Sequence, residues 1–124
     1  MKTSSFARNI RPFVEAELQT ATTLSAQGQA QPAFTHLERA HVLGQASTTH
    51  HVRVHWRMFL WGLQQRDAKE CLGQLFRIIG AATKTVFGLI PHGNTGGANV
   101  SPFKPMAVPT ELEMRIQHAR KICK

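Results

Sequence analysis

Two glycines, Gly28 and Gly44, each end a segment whose apolar residues recur at helical spacing. Pro12 lies at the start of the first segment and Pro32 near the start of the second, where proline suits the first turn of a helix. This pattern predicts two helices joined in a hairpin at Gly28. The inward positions expected in the first helix are Phe13, Val14, Leu18, Ala21 and Leu24, and in the second Ala33, Leu37, Ala40 and Val42 or Leu43.

The order Gly28, Ala33, Leu37, Ala40 resembles a tetratricopeptide helix pair, in which small residues let two helices approach closely. A weaker echo follows, with a third helix in "ASTTHHVRVHWRMFLWGLQQ" and a fourth in "RDAKECLGQLFRIIGAATKTVFG". Asp67 is expected to cap the fourth helix, with Glu70 three residues later as in a capping box. The positions that correspond to the inward ones are Cys71, Leu75 and Ile78.

The fold class predicted is all-α, and 124 residues suit one domain. We expect a helical core over residues 10–88, built from two hairpins as a tetratricopeptide-like pair or a four-helix bundle. An extended Gly, Asn and Pro-rich segment, 89–109, should dock on it through Ile90, Val100, Phe103, Met106 and Val108. A short last helix, 110–122, should begin at Thr110 and bury Leu112, Ile116 and Ala119.

The net charge and the two cysteines indicate which binding partners and which cellular compartment to expect. Fifteen Lys and Arg against seven Asp and Glu give a net charge of +8, which attracts anions. The basic residues are scattered and tyrosine is absent, so we do not expect nucleic-acid binding. The N-terminal residues do not resemble a secretory signal and no apolar run reaches the length of a membrane span, so we expect neither. Cys71 and Cys123 form no CxxC pair, so we expect a cytoplasmic protein without disulfides.

Five of the seven histidines lie between residues 36 and 58. Residues three or four apart share a helix face, so Glu38 pairs with His41 and His51 pairs with His55. The short turn between the second and third helices should bring the two pairs together. A carboxylate and three imidazoles suit zinc, with iron, copper, nickel and manganese as alternatives. The sequence therefore predicts a metal site of Glu38, His41, His51 and His55.

The alternative is that these side chains are solvated or packed without a metal, because both spacings recur by chance. His36 lies about 200° around the helix from Glu38 and is expected to face solvent. His50 could replace His51 as a ligand or lie outside the site. Three arginines could pair with Glu38 instead of leaving it to a metal: Arg39, Arg53 and Arg57.

The motifs "HLERAHVLGQ", "HVRVHWRM" and "LGQLFRIIGAATKTVFGLIPHGNTGGANVSPFKPM" resemble a bacterial family known as domain of unknown function 3703, over residues 10–115. The family has no assigned activity, and its genes tend to lie near heavy-metal resistance and efflux genes. The resemblance therefore implies a link to metal stress. Its pattern maps onto the four predicted ligands, leaves out His36, His50 and His92, and includes Gly93, Asn94, Thr95, Gly96, Gly97, Asn99 and Ser101.

The stretch "GNTGGAN" could cradle a phosphate through its backbone N–H groups, but it lacks the Walker spacing. We favour a locked turn in which Gly96 and Gly97 supply positive φ or close approach. If the turn lies over the histidines, Asn94, Thr95 and Asn99 are candidates to orient an imidazole.

Two functions follow from the sequence. The first is a protein that binds one divalent transition metal as accessory factor, sensor or buffer in metal homeostasis. We expect no enzymatic activity, although an open position on the metal could support hydrolysis or oxidation. The second is a tetratricopeptide-like interaction module, with a helical groove for a protein partner and no metal.

Overall fold

The computed structural model describes residues 5–87, 96–97 and 106–122, the side chains of 81–87 and 122 excepted. Five helices occupy these residues, and no strand occurs among them, so the predicted all-α class is confirmed. None of the helices is long and apolar enough to cross a membrane. The helices are α1 (Ser5–Ala26), α2 (Ala30–Gly44), α3 (Thr48–Gln65), α4 (Ala68–Phe87) and α5 (Thr110–Ile122).

Helix α1 begins earlier than the sequence predicted. It starts at Ser5, so Pro12 lies inside the helix and not in its first turn. Ala7 and Ile10 are fully buried, and they extend the apolar stripe of α1 toward its N-terminus. The burial of these two side chains stabilises the first turns of α1, because Pro12 has no backbone N–H to donate to the preceding turn. Pro12 itself is exposed, so the backbone carbonyl that loses its partner can bind water.

Helices α1 and α2 meet where predicted. Gly28 has a φ of +76°, a conformation that favours glycine, and the N–H of Gln29 returns to the carbonyl of Leu24 at 2.9 Å. The predicted inward residues of α2 are all buried: Ala33, Leu37, Ala40, Val42 and Leu43. Helix α1 packs chiefly on α2 and α3 chiefly on α4. The tetratricopeptide-like arrangement of these pairs stays a prediction.

Helix α5 covers α1 and α2, and its bounds are those predicted. Leu112, Ile116 and Ala119 are buried in the core, as expected. The side-chain amide of Asn9 donates to the carbonyl of Ala119 at 3.1 Å, which fixes α5 against α1. Of the residues expected to dock the extended segment, Met106 and Val108 are half-buried, while Ile90, Val100 and Phe103 lie outside the described residues.

Helix α4 is capped as predicted but is rotated from the expected orientation. The carboxylate of Asp67 accepts the backbone N–H of Glu70 at 3.0 Å. Leu75, predicted to be inward, is exposed, and the neighbouring Gln74 is fully buried. Adjacent helical residues differ by about 100° in direction, so this one-residue difference places polar side chains toward α3. Cys71 and Ile78 are half-buried.

Candidate metal centre

Three of the four predicted metal ligands converge between α2 and α3. His41 comes from the last turn of α2, and His51 and His55 come from the first two turns of α3. Their ligand nitrogens all lie within 4.8 Å of one another. The three ring centroids are 4.7 to 4.9 Å apart, and the three side chains are buried. The histidines therefore form a compact cluster shielded from solvent.

The short connection between α2 and α3 brings the histidines together. Only residues 45–47 separate the two helices, and the N–H of Ser47 bonds the carbonyl of Gly44 at 2.9 Å. A Cβ on Gly44 would lie 2.7 Å from the Cβ of His50, closer than real side chains approach. Glycine at this position therefore allows α3 to start against the end of α2, which places His51 beside His41.

Gln74 of α4 determines which ring nitrogen of neutral His55 carries the proton. The Gln74 Nε2 donates to the Glu70 carboxylate and to the Gly96 carbonyl, each at 2.9 Å. Both partners are pure acceptors, so they determine which end of the amide is nitrogen. The Gln74 Oε1 lies 2.5 Å from Nδ1 of His55 and must accept a hydrogen bond from it. In neutral His55 the proton therefore sits on Nδ1, and Nε2 keeps its lone pair.

The lone pair of His55 points toward His41. The two Nε2 atoms lie 3.1 Å apart, a distance at which His41 can donate a hydrogen bond to His55. Zinc bonds imidazole nitrogen at about 2.0–2.1 Å, so two nitrogens on one tetrahedral zinc are about 3.3 Å apart. A metal ion could therefore take the place of the shared proton between these two nitrogens. Neutral imidazoles oriented by an outer hydrogen bond are common metal ligands.

Gly96 covers the face of His41. Its φ is +84°, and a Cβ there would lie 2.5 to 2.8 Å from three atoms of the His41 ring. The sequence predicted positive φ or close approach at Gly96, and the structure shows both. The glycine turn thus lies against the histidine cluster at this residue. The candidate orienting residues Asn94, Thr95 and Asn99 lie outside the described residues.

Glu38, the fourth predicted ligand, is half-buried one turn before His41. Its carboxylate is not among the ligand atoms that lie within 4.8 Å of one another in the described chain. On a helix, residues three apart differ by about 60° in direction, so Glu38 and His41 share a side of α2, as predicted. The structure therefore brings together the three histidines and leaves the role of Glu38 a prediction.

A family model described as "Protein of unknown function" matches residues 8–116. The chain belongs to the DUF3703 family. Neither a curated protein nor a solved structure matches it significantly. The family membership confirms the predicted resemblance, and the histidine cluster lies inside the matched residues.

The other two histidines of this region bind elsewhere in the DUF3703 chain. His50 is buried, and its Nε2 lies 2.9 Å from the carbonyl of Ala7 in α1. His36 was expected to face solvent, but it is half-buried and its Nδ1 lies 2.6 Å from the Glu17 carboxylate. The expectation was wrong because α1 packs against that side of α2. His50 thus lies outside the metal cluster, in agreement with one of its two predicted alternatives.

The arginines offered as partners for Glu38 have other contacts in this DUF3703 protein. Arg39 bonds Glu17 of α1 at 3.0 Å and Glu111 of α5 at 2.5 Å. Arg53 forms a double hydrogen bond with Glu15, whose pKa it holds below the usual value. These pairs join α1, α2, α3 and α5 around the cluster. They support the helices that carry the histidines.

Sequence reasoning missed Gln74 and Glu70 as parts of the site. Both are buried, and they lie four residues apart on the face of α4 that meets α3. The available signal was this i, i+4 polar pair within an otherwise apolar helix. It was hidden because Glu70 was interpreted as part of a capping box for the fourth helix.

We expect Gln74→Met to weaken metal binding by about 10- to 100-fold, because it removes the acceptor that orients His55. Methionine has nearly the volume of glutamine, so packing should change little. Metal titration gives the affinity, and long-range ¹H–¹⁵N NMR of the imidazoles gives the tautomer of His55.

The combined exchange Glu70→Gln and Gln74→Glu is the matched control. It keeps an acceptor for His55 Nδ1–H and an amide beside it but loses the donor to the Gly96 carbonyl, so the tautomer and part of the affinity should return. An affinity that falls equally in both variants, with the His55 tautomer unchanged in Gln74→Met, would contradict the orienting role.

Proposed function

We propose that this DUF3703 protein binds one divalent transition metal through His41, His51 and His55. The observation that supports the proposal best is the convergence of three buried imidazoles, with the lone pair of His55 fixed toward His41. Two of the imidazoles already approach each other through their Nε2 atoms, those of His41 and His55. A bound cation instead uses all three lone pairs at once.

Zinc is the metal that we expect first, with iron, copper, nickel and manganese as alternatives, since imidazole nitrogen binds all of them. Three histidines leave a tetrahedral ion one further position. Glu38 is the predicted fourth ligand, and a Glu38→Gln variant with unchanged affinity and geometry would exclude it. If water takes the position, hydrolysis or oxidation becomes chemically accessible.

The biological role that we infer is that of an accessory factor, sensor or buffer in metal homeostasis. The burial of the cluster supports it, because a shielded site holds an ion and does not present it to a large substrate. We propose no enzymatic activity. The cytoplasm is the compartment that suits a chain with Cys71 as a free thiol.

The experiment is metal loading of the tag-free wild-type protein. After chelation and dialysis, elemental analysis and calorimetric titration with each ion should show one metal per chain, with a dissociation constant below about 1 µM. Co²⁺ is a useful probe, since its visible spectrum distinguishes tetrahedral from octahedral coordination. A chain that binds none of these ions more tightly than about 1 µM would overturn the proposal.

The second candidate function is a protein-interaction module, and one observation favours it. Helix α4 exposes four large apolar side chains at i, i+3, i+4 and i+7, the spacing of a single helix face: Leu72, Leu75, Phe76 and Ile79. A contiguous exposed apolar face is typical of binding surfaces. If the loading experiment finds no metal, this function becomes the stronger of the two.

A further inference from the structure

A concave site lies between the C-terminal halves of α1 and α3. This groove, which we call the Arg57 groove, has a volume of about 550 Å³. Ligand sites commonly have volumes of about 300–1,000 Å³. Its apolar wall includes Leu37, Leu60 and Trp61. None of the three clustered histidines lines it, so it is separate from the metal centre.

The polar side of the groove is formed by Arg57 with hydroxyl and amide side chains. Arg57 uses Nη2 alone for its hydrogen bonds in the described chain, to the carbonyl of Leu18 at 3.3 Å and to the hydroxyl of Thr22 at 2.5 Å. Nε and Nη1 remain for a ligand. They lie on different edges of the guanidinium, so a carboxylate oxygen can accept a charged hydrogen bond from either of them.

The charge of Arg57 lacks a carboxylate partner. No acidic side chain of the described residues forms an ion pair with it, and the nearby Glu15 is bound by Arg53. Burial, with the neighbouring Arg53, lowers the pKa of Arg57 from its ordinary value. An arginine remains charged even so, and a half-buried cation without an anion is unfavourable. A bound anion would relieve this cost.

We propose that the Arg57 groove binds a small carboxylate with an apolar body. One carboxylate oxygen accepts a hydrogen bond from Nε or Nη1 of Arg57, beside the Thr22 hydroxyl. The apolar body packs on Leu60 and Trp61. Ser25, Gln64 and Gln65 offer further hydrogen bonds at the polar rim. The net charge of +8 favours the approach of such an anion.

The probe is octanoate, compared with 1-octanol and with acetate, each titrated into the wild-type protein and followed by ¹H–¹⁵N NMR. Octanoate should shift the Trp61 indole N–H and the amides around Arg57, and it should bind more tightly than either comparison compound. Arg57→Gln should weaken octanoate by about 10-fold or more and leave 1-octanol unchanged, because only the charged hydrogen bonds are lost.

Arg8→Gln is the matched control, since Arg8 is an exposed arginine of α1 outside the groove, and octanoate should bind it as it binds the wild type. Arg57→Lys keeps the positive charge but lacks the guanidinium donors, so its affinity for octanoate should be intermediate. If Arg57→Gln does not fold, Arg57→Lys provides the test. Three outcomes would each overturn the proposal: no shifts up to about 10 mM octanoate, octanol binding as tightly as octanoate, or octanoate binding equally to wild type and Arg57→Gln.

Discussion

Replacing His51 and His55 together by alanine should weaken metal binding by more than about 100-fold. Loss of a residue that only orients a ligand costs about 10- to 100-fold, and this variant removes two of the three ligands themselves. His41 alone cannot hold an ion at micromolar concentration. Elemental analysis of the purified variant and calorimetric titration beside the wild type measure the change.

The control for this variant removes the same number of histidines from outside the cluster. His36 and His118 are suitable, because His36 pairs with Glu17 and His118 is exposed on α5. The double variant His36→Ala, His118→Ala should keep one metal per chain at wild-type affinity. Metal content that is unchanged in His51→Ala, His55→Ala would place the metal elsewhere in the chain.

Gly96→Ala should lower both the stability and the metal affinity. The added methyl group would enter the space of the His41 ring, and alanine rarely adopts a φ of +84°. The backbone cost is about 1 kcal/mol and the overpacking cost about 1–3 kcal/mol, so the free energy of unfolding should fall by about 2–4 kcal/mol. If the chain at Gly96 moves away instead, the bond to Gln74 is lost and His41 is uncovered.

Gly28→Ala tests the backbone cost without the overpacking cost. Gly28 has a similar φ of +76°, and a Cβ there would meet nothing within 4 Å. It should lose about 1 kcal/mol from the backbone term alone and keep its metal affinity. Urea denaturation and metal titration of both variants make the comparison. Equal losses in the two would mean that the contact between Gly96 and His41 does not matter.

Helices and the histidine cluster could be predicted from the sequence because both depend on short-range spacing. Gly28 and Gly44 mark helix ends, and the i, i+4 pair of His51 and His55 shares a face whatever the tertiary packing. The turn between α2 and α3 spans only residues 45–47. Because this connection is short, His41 must lie close to His51 and His55.

The surroundings of the cluster could not be predicted, because they depend on the rotation of α4 and on long-range contacts. The weak resemblance of the second helix pair to the first predicted that Leu75 faces inward. In the structure Leu75 is exposed and the neighbouring Gln74 is buried. One residue of difference changes an apolar contact with α3 into a hydrogen bond to His55. Likewise, the charge of Glu17 on α1 decides the position of His36, and nothing local to His36 indicates this.

The amide of Gln74 joins three parts of the chain that lie far apart in sequence: α3 at His55, α4 at Glu70 and the glycine turn at Gly96. Metal binding at the histidines, as proposed, and formation of the Gln74 hydrogen bond to Gly96 are therefore linked equilibria. By thermodynamic reciprocity, the factor by which a metal ion favours that bond equals the factor by which the bond raises the affinity for the ion. The Gln74 amide would then couple metal binding to residues that do not contact the metal.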